Sequence, residues 1–208
     1  MSTSGVDARA RSSGGSGSPV APPLFEQPWP EGDYRFFQLG FVVDDLIDAA
    51  GRWAAVFGIG PFHILPRRTA ECTHRGGPAA TIELQVGVAQ SGPVQIELIQ
   101  QHCDTPSIFV DYLKTGRGSL HQLCTVTSDF EGKKAHYQQL GYELATELLS
   151  PGHRVAFVDT VADFGFYTEV VEARAPFLDQ LAAIARTCAG WDGADPVRLL
   201  TRNGYRTP

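Results

Sequence analysis

The sequence predicts an α+β protein built from two βαβββ modules. Three observations predict it: strand-like apolar runs alternate with helical patterning from residue 34 onward, the pattern occurs twice, and the composition supports a sizeable core. Of the 208 residues 43% are hydrophobic and 19% charged, which suits one large domain or two small modules and excludes a disordered polymer. Seventeen Lys and Arg against 23 Asp and Glu leave a net charge of −6, unlike a nucleic-acid binder or a polybasic membrane-surface protein. The expected partner is a small molecule or another protein. No apolar run reaches the roughly 18–20 residues of a membrane span, and the start lacks the pattern of a secretory signal, so the chain reads as cytoplasmic. Cys72, Cys103, Cys124 and Cys188 are widely spaced, form no CxxC pair, and read as reduced thiols rather than disulfides or a zinc site.

Residues 1–30 are rich in Ser, Gly, Ala and Pro without periodicity and read as a flexible arm, with Phe25 and Trp29 able to tuck against the body. FFQLGFVV (36–43) reads as a strand. Asp44 or Asp45 then caps a helix in which Leu46, Ala49, Ala50, Trp53, Ala54 and Phe57 share one face and which Gly58 ends. GPFHIL, ATIELQVGV and VQIELIQ follow as strands, separated by Pro66, by Gly76-Gly77-Pro78 and by the turn at 91–93, while 64–80 and 102–118 read as loops.

The second half repeats the first. HQLCTVTSDF (121–130) lies on FQLGFVVDDL (37–46) without a gap, matching Gln38 with Gln122 and Asp45 with Asp129. A helical stretch ending in glycine follows each, at Gly58 and Gly141, and QIELI (95–99) matches YTEVV (167–171), setting Glu97 against Glu169. The expected organisation is an arm over 1–30, a paired domain over 34–173 with modules 34–101 and 119–173, and a helix and tail over 174–208. Each module thus offers a glutamine in its first strand and a glutamate in its last. A carboxylate set among apolar strand residues needs a cation, a proton or a substrate, unless its face is solvated. Modules related by a pseudo-twofold axis would bring all four side chains to one cleft.

These residues resemble the vicinal oxygen chelate superfamily, which includes glyoxalase I, methylmalonyl-CoA epimerase, extradiol dioxygenases and drug-resistance binding proteins. The resemblance spans about 34–173 and is nearest the epimerase and glyoxalase-like branch: FFQLGFVVDDLIDAA is similar to its opening strand and helix, VFGIGPF to a glycine-rich turn, and QIELIQ, GSLHQLCTVT and GFYTEVVE to its later strands. It implies that the two modules form a curled mixed sheet around a central cleft, with a divalent metal held there by Gln38, Glu97, Gln122 and Glu169. The chain departs from the pattern in having glutamine where histidine is common at both first-strand positions. The remaining hard donors suit Mg²⁺, Mn²⁺, Ca²⁺ or Co²⁺ better than Zn²⁺, and a metal-free site stays open as the alternative. Lacking the two histidines and carboxylate that hold Fe(II), the set argues against a dioxygenase.

The resemblance further implies chemistry at a carbon next to a carbonyl, with Glu97 and Glu169 as the catalytic acid–base pair and Gln38 and Gln122 near the substrate oxygen. His121 competes with Gln122 as a ligand only through a one-residue slip or a bulge, and packing, or support of a ligand from behind, suits it better. His63 reads either as an acid or base at the cleft or as a surface histidine, and Cys124 and Tyr167 as pocket lining or as core. Arg67, Arg68 and Arg75 either meet an anionic group, as on an acyl thioester, or are solvated. The pattern over 176–188 is amphipathic and reads as a cover for the cleft mouth, as a homodimer face or as a helix packed on its own domain. An isomerase, epimerase or related lyase is the reading, with a non-catalytic, resistance-type binding protein as the alternative.

Overall fold

The computed structural model describes residues 36–114, 120–150 and 152–208, so the arm expected over 1–30 lies outside the described residues. Module one runs β1 (Phe36–Val42), α1 (Leu46–Phe57), β2 (Phe62–Ile64), β3 (Arg68–His74), β4 (Ala80–Ser91) and β5 (Val94–Gln101), followed by α2 (Ile108–Lys114). Module two runs β6 (Leu120–Thr127), α3 (Phe130–Gln139), β7 (Leu144–Ser150), β8 (His153–Val158), α4 (Val161–Phe164) and β9 (Tyr167–Glu172). The chain then forms α5 (Ala175–Ala189), β10 (Val197–Thr201) and β11 (Gly204–Arg206).

The two helices that open the modules start the same way. Asp45 accepts from Asp48 N at 2.9 Å and Asp129 from Gly132 N at 2.9 Å, each satisfying an otherwise unpaired amide of the first turn. Gly58 ends α1 in the left-handed region at φ 64°, its N–H donating to Ala54 O. Leu46, Ala49 and Ala50 of α1 pack with Phe62, Ile96 and Leu98 on the outside of module one, and Phe130 of α3 packs with Ala156, Val158 and Val170 on the outside of module two.

Eight strands close into a ring in the order β4-β3-β7-β8-β9-β6-β1-β5, with β5 returning to β4. β1 pairs with β5 and β6 with β9 in parallel, while the modules join through antiparallel β1–β6 and β3–β7. The register carries the repeat. Gln38 stands opposite Gln95, two residues before Glu97, and Gln122 stands opposite Tyr167, two residues before Glu169. Because side chains alternate along a strand, each glutamine shares a face with its module's glutamate.

Three segments differ from the sequence expectation. β3 lies in the stretch read as a loop: Arg68, Glu71 and His74 dilute its signal, yet Ala70 and Cys72 alternate inward and are buried. β3, not GPFHIL, fills the ring position beside β4, and β2 pairs outside the ring with β4 and β10. The stretch 102–118 contains α2, and the tail adds β10 and β11 to the sheet.

Candidate functional site

The ring encloses a cavity of about 130 Å³. Leu84, Val86, Ile99 and Phe157 are among its walls, and Phe177, Leu181 and Ile184, one stripe of α5, cover it. The amphipathic tail helix is therefore the cover of the cleft. Gln38, Glu97 and Glu169 form the polar part of the lining, and Arg68 and Gln180 also border it.

The two glutamates are joined through Gln122. Its Nε2 donates to Glu97 Oε2 at 3.2 Å and to Glu169 Oε2 at 3.2 Å, spending both amide hydrogens. The two carboxyl oxygens thus lie no farther apart than those two bonds end to end. Gln122 is fully buried and does not itself line the cavity. Its Oε1 faces His121 Nδ1. Gln38, also buried, sends Nε2 to Gln95 Oε1 at 2.9 Å.

Neither glutamate forms an ion pair among the described residues. Burial and the charge of Glu169 push the Glu97 carboxyl well above the usual carboxylate range. Burial raises Glu169 too, but donation from the Cys124 thiol, its cross-strand neighbour, and from Gln122 works against the rise. Both carboxyls are therefore pushed towards the protonated form, and as close neighbours they titrate as a pair.

The other expected residues divide. Cys124 is buried, and burial plus the two glutamate charges push its thiol well up, so it is no nucleophile. Tyr167 does not line the cavity; its hydroxyl accepts from Arg75 Nη2 at 3.3 Å and its ring packs on His121 at 5.0 Å. His63 is buried on β2 and does not line the cavity either. Burial, and then the Arg198 charge, lower its pKa. Arg75 is held by Asp159 at 2.9 Å. His121 is fully buried among Phe109, Tyr112, Phe157 and Tyr167, and burial lowers its pKa to about 4.

Sequence reasoning missed Gly40. It pairs with Glu97 on one side and with Gln122 on the other, and a Cβ there would overlap the Gln122 side chain. A glycine inside an otherwise apolar strand was the available signal.

A family model described as the Glyoxalase/Bleomycin resistance protein/Dioxygenase superfamily matches residues 37–157, more than half of the chain. The chain belongs to this superfamily. Similar solved structures include a hypothetical protein from Bacillus halodurans, at 12% identity and TM-score 0.49, covering 67% of this chain and 94% of that one. A methylmalonyl-CoA epimerase from Mycobacterium tuberculosis is similar at 18% identity and TM-score 0.46, covering 79% and 96%. A variant of the Streptomyces coelicolor epimerase in complex with 2-nitronate-propionyl-CoA is similar at 18% and 0.46, covering 68% and 95%. No curated protein matches the chain in sequence.

The metal that the superfamily resemblance implies requires oxygens from Gln38, Glu97, Gln122 and Glu169 to converge. Gln122 instead presents N–H groups to both carboxyls, where a ligand must offer a lone pair. Among the described residues no group of three or more His, Cys, Asp or Glu could hold a metal ion. The side chains as arranged do not fit a divalent cation.

Proposed function

We propose that this protein is an isomerase or epimerase, or a related lyase, that transfers a proton at a carbon next to a carbonyl in a small molecule. The observation that carries the reading is the carboxyl pair, Glu97 and Glu169, bridged by one amide in the lining of a covered apolar cavity. Proton removal next to a carbonyl needs a base in reach and a donor for the developing enolate. One glutamate, ionised, takes the proton from carbon. The other, protonated, returns one to the oxygen or to the opposite face of the carbon, a division of roles that the raised pKa of both carboxyls favours. The two carboxyls exchange protonation states in each half-reaction, so the site keeps a single negative charge throughout. Gln38 contributes its oxygen as an acceptor, since its nitrogen serves Gln95. The cover of Phe177, Leu181 and Ile184 limits water around the intermediate. A cavity of about 130 Å³ suits a short acyl or hydroxy-ketone group, and an acyl thioester would place only its acyl end inside.

The test is deuterium exchange in D₂O on a panel of 2-substituted acyl thioesters and α-hydroxy ketones. Exchange in at least one compound is expected, falling about 10²–10⁴-fold in Glu97→Gln and in Glu169→Gln. Intact exchange in both variants would remove the pair from the mechanism. The largely apolar lining supports the second reading, a binding protein without turnover, and tight binding of a panel compound with no exchange would select it.

A further inference from the structure

The hydrogen-bond inventory behind the two glutamates carries a consequence for what the site accepts. A carboxamide has one acceptor end and one donor end, and which end faces a pair of carboxyls decides whether it competes with a cation or helps to bind one. At Gln122 the acceptor end faces His121 Nδ1 and the donor end faces Glu97 and Glu169. His121 dictates this choice. Its ring is sealed by Phe109 at 5.4 Å, Tyr112 at 4.9 Å and Tyr167 at 5.0 Å; apart from Gln122 only the Ile108 backbone acts on it, and its Nε2 makes no well-formed hydrogen bond. A neutral imidazole in such a box has one hydrogen, and the arrangement that uses it places it on Nδ1, where it donates to Gln122 Oε1. Turning the amide over would set its NH₂ group against that N–H and its oxygen between the two carboxyls. Gly40 supplies the second constraint, because the amide lies against a backbone with no Cβ in its way.

We infer that Gln122, oriented by His121 and seated on Gly40, stands in place of the divalent cation: it draws Glu97 and Glu169 together by donating one N–H to each, and the site takes no metal. His121 and Gly40 are positioning residues, outside the lining that meets the substrate. The inference takes its site from the proposed function, but its test does not depend on turnover.

Two measurements on the full wild-type chain test it. Titration with MnCl₂ to millimolar concentration, followed by electron paramagnetic resonance, is expected to leave the Mn²⁺ free and the Tm unmoved. A ¹⁵N spectrum of the histidine rings at neutral pH is expected to place the His121 hydrogen on Nδ1. Stoichiometric Mn²⁺ binding by the wild type, or a His121 hydrogen on Nε2, overturns the inference. His121→Phe keeps a ring in the aromatic box but removes the N–H that fixes the amide, so it is expected to gain Mn²⁺ binding and a Mn²⁺-dependent rise in Tm. Gln122→Glu puts oxygens where the N–H groups stand and is expected to gain the same response, a second route should the phenylalanine variant not fold. A folded variant of either kind that ignores Mn²⁺ also counts against it. Absence of deuterium exchange with these results intact would remove the proposed reaction and leave the metal-free site standing.

Discussion

Ala70→Ile asks whether the space under α5 is the ligand chamber. Ala70 sits on β3, is 5% exposed and lines the cavity. Isoleucine adds three carbons, which fit within the cavity of about 130 Å³ but fill much of it, and its branched side chain suits a strand. At about 0.8 kcal/mol per buried CH₂ the added carbons contribute about 2.4 kcal/mol. Ordering the side chain costs about 0.5–1 kcal/mol, leaving a net gain of about 1.5 kcal/mol. For a chain of 208 residues that corresponds to a rise in Tm of roughly 3–6 °C. Urea denaturation with an unchanged m-value is the assay for stability, and exchange or binding on the same panel is the assay for occupancy. The expected outcome is a more stable protein that has lost its ligand. A loss of more than about 1 kcal/mol would mean that the space is not available to a side chain. Greater stability with undiminished ligand handling would place the chemistry elsewhere.

Gly40→Ala pushes the Gln122 amide off the two glutamates and is expected to lower exchange activity about 10–100-fold while leaving far-UV circular dichroism unchanged, since the disturbance is confined to one side-chain contact. Stability should fall as pH rises: burial holds protons on Glu97 and Glu169 that the unfolded chain releases near 4.5, so the folded state binds more protons. That contribution is complete below about 4.5 and is lost as pH climbs through the raised values, so urea midpoints taken across this range should decline, and the double variant Glu97→Gln with Glu169→Gln should flatten the decline. Leu181→Ala enlarges the space beneath α5 and is expected to cost about 2–3 kcal/mol in denaturant unfolding, the low end for a buried leucine because its side chain already borders a cavity.

Much of the site was legible because the repeat could be read in residues. Aligning Gln38 with Gln122 and Glu97 with Glu169 anticipates a register in which each glutamine shares a face with its module's glutamate, and the paired strands have that register. Asp45 and Asp129 were readable as caps because a short carboxylate before an apolar stripe has few other uses. What escaped the sequence depends on distance in three dimensions. β3 hides its small inward residues, Ala70 and Cys72, among charges. The β1–β6 register slips at His121, with Gly40 opposite Gln122 but Phe41 opposite Leu120, and nothing in the residue order says that this irregularity brings the imidazole onto the amide. The 176–188 stripe left open whether it covers the cleft mouth, forms a dimer face or packs on its own domain, and the position of Phe177, Leu181 and Ile184 over the cavity supplies the first.

The two antiparallel seams, β1 against β6 and β3 against β7, carry a consequence for each module taken singly. A half-molecule would leave its first strand and its β3- or β7-type strand with open rows of N–H and C=O groups, one on either side. The partner that satisfies both rows at once is another half with the same two edges in the same spacing. Joining both halves in one chain makes that match intramolecular, so neither meets solvent as a sticky edge for long. It also frees the two to diverge: one half donates Gln122 and its imidazole clamp, and the other donates a bare glycine for the amide to rest on.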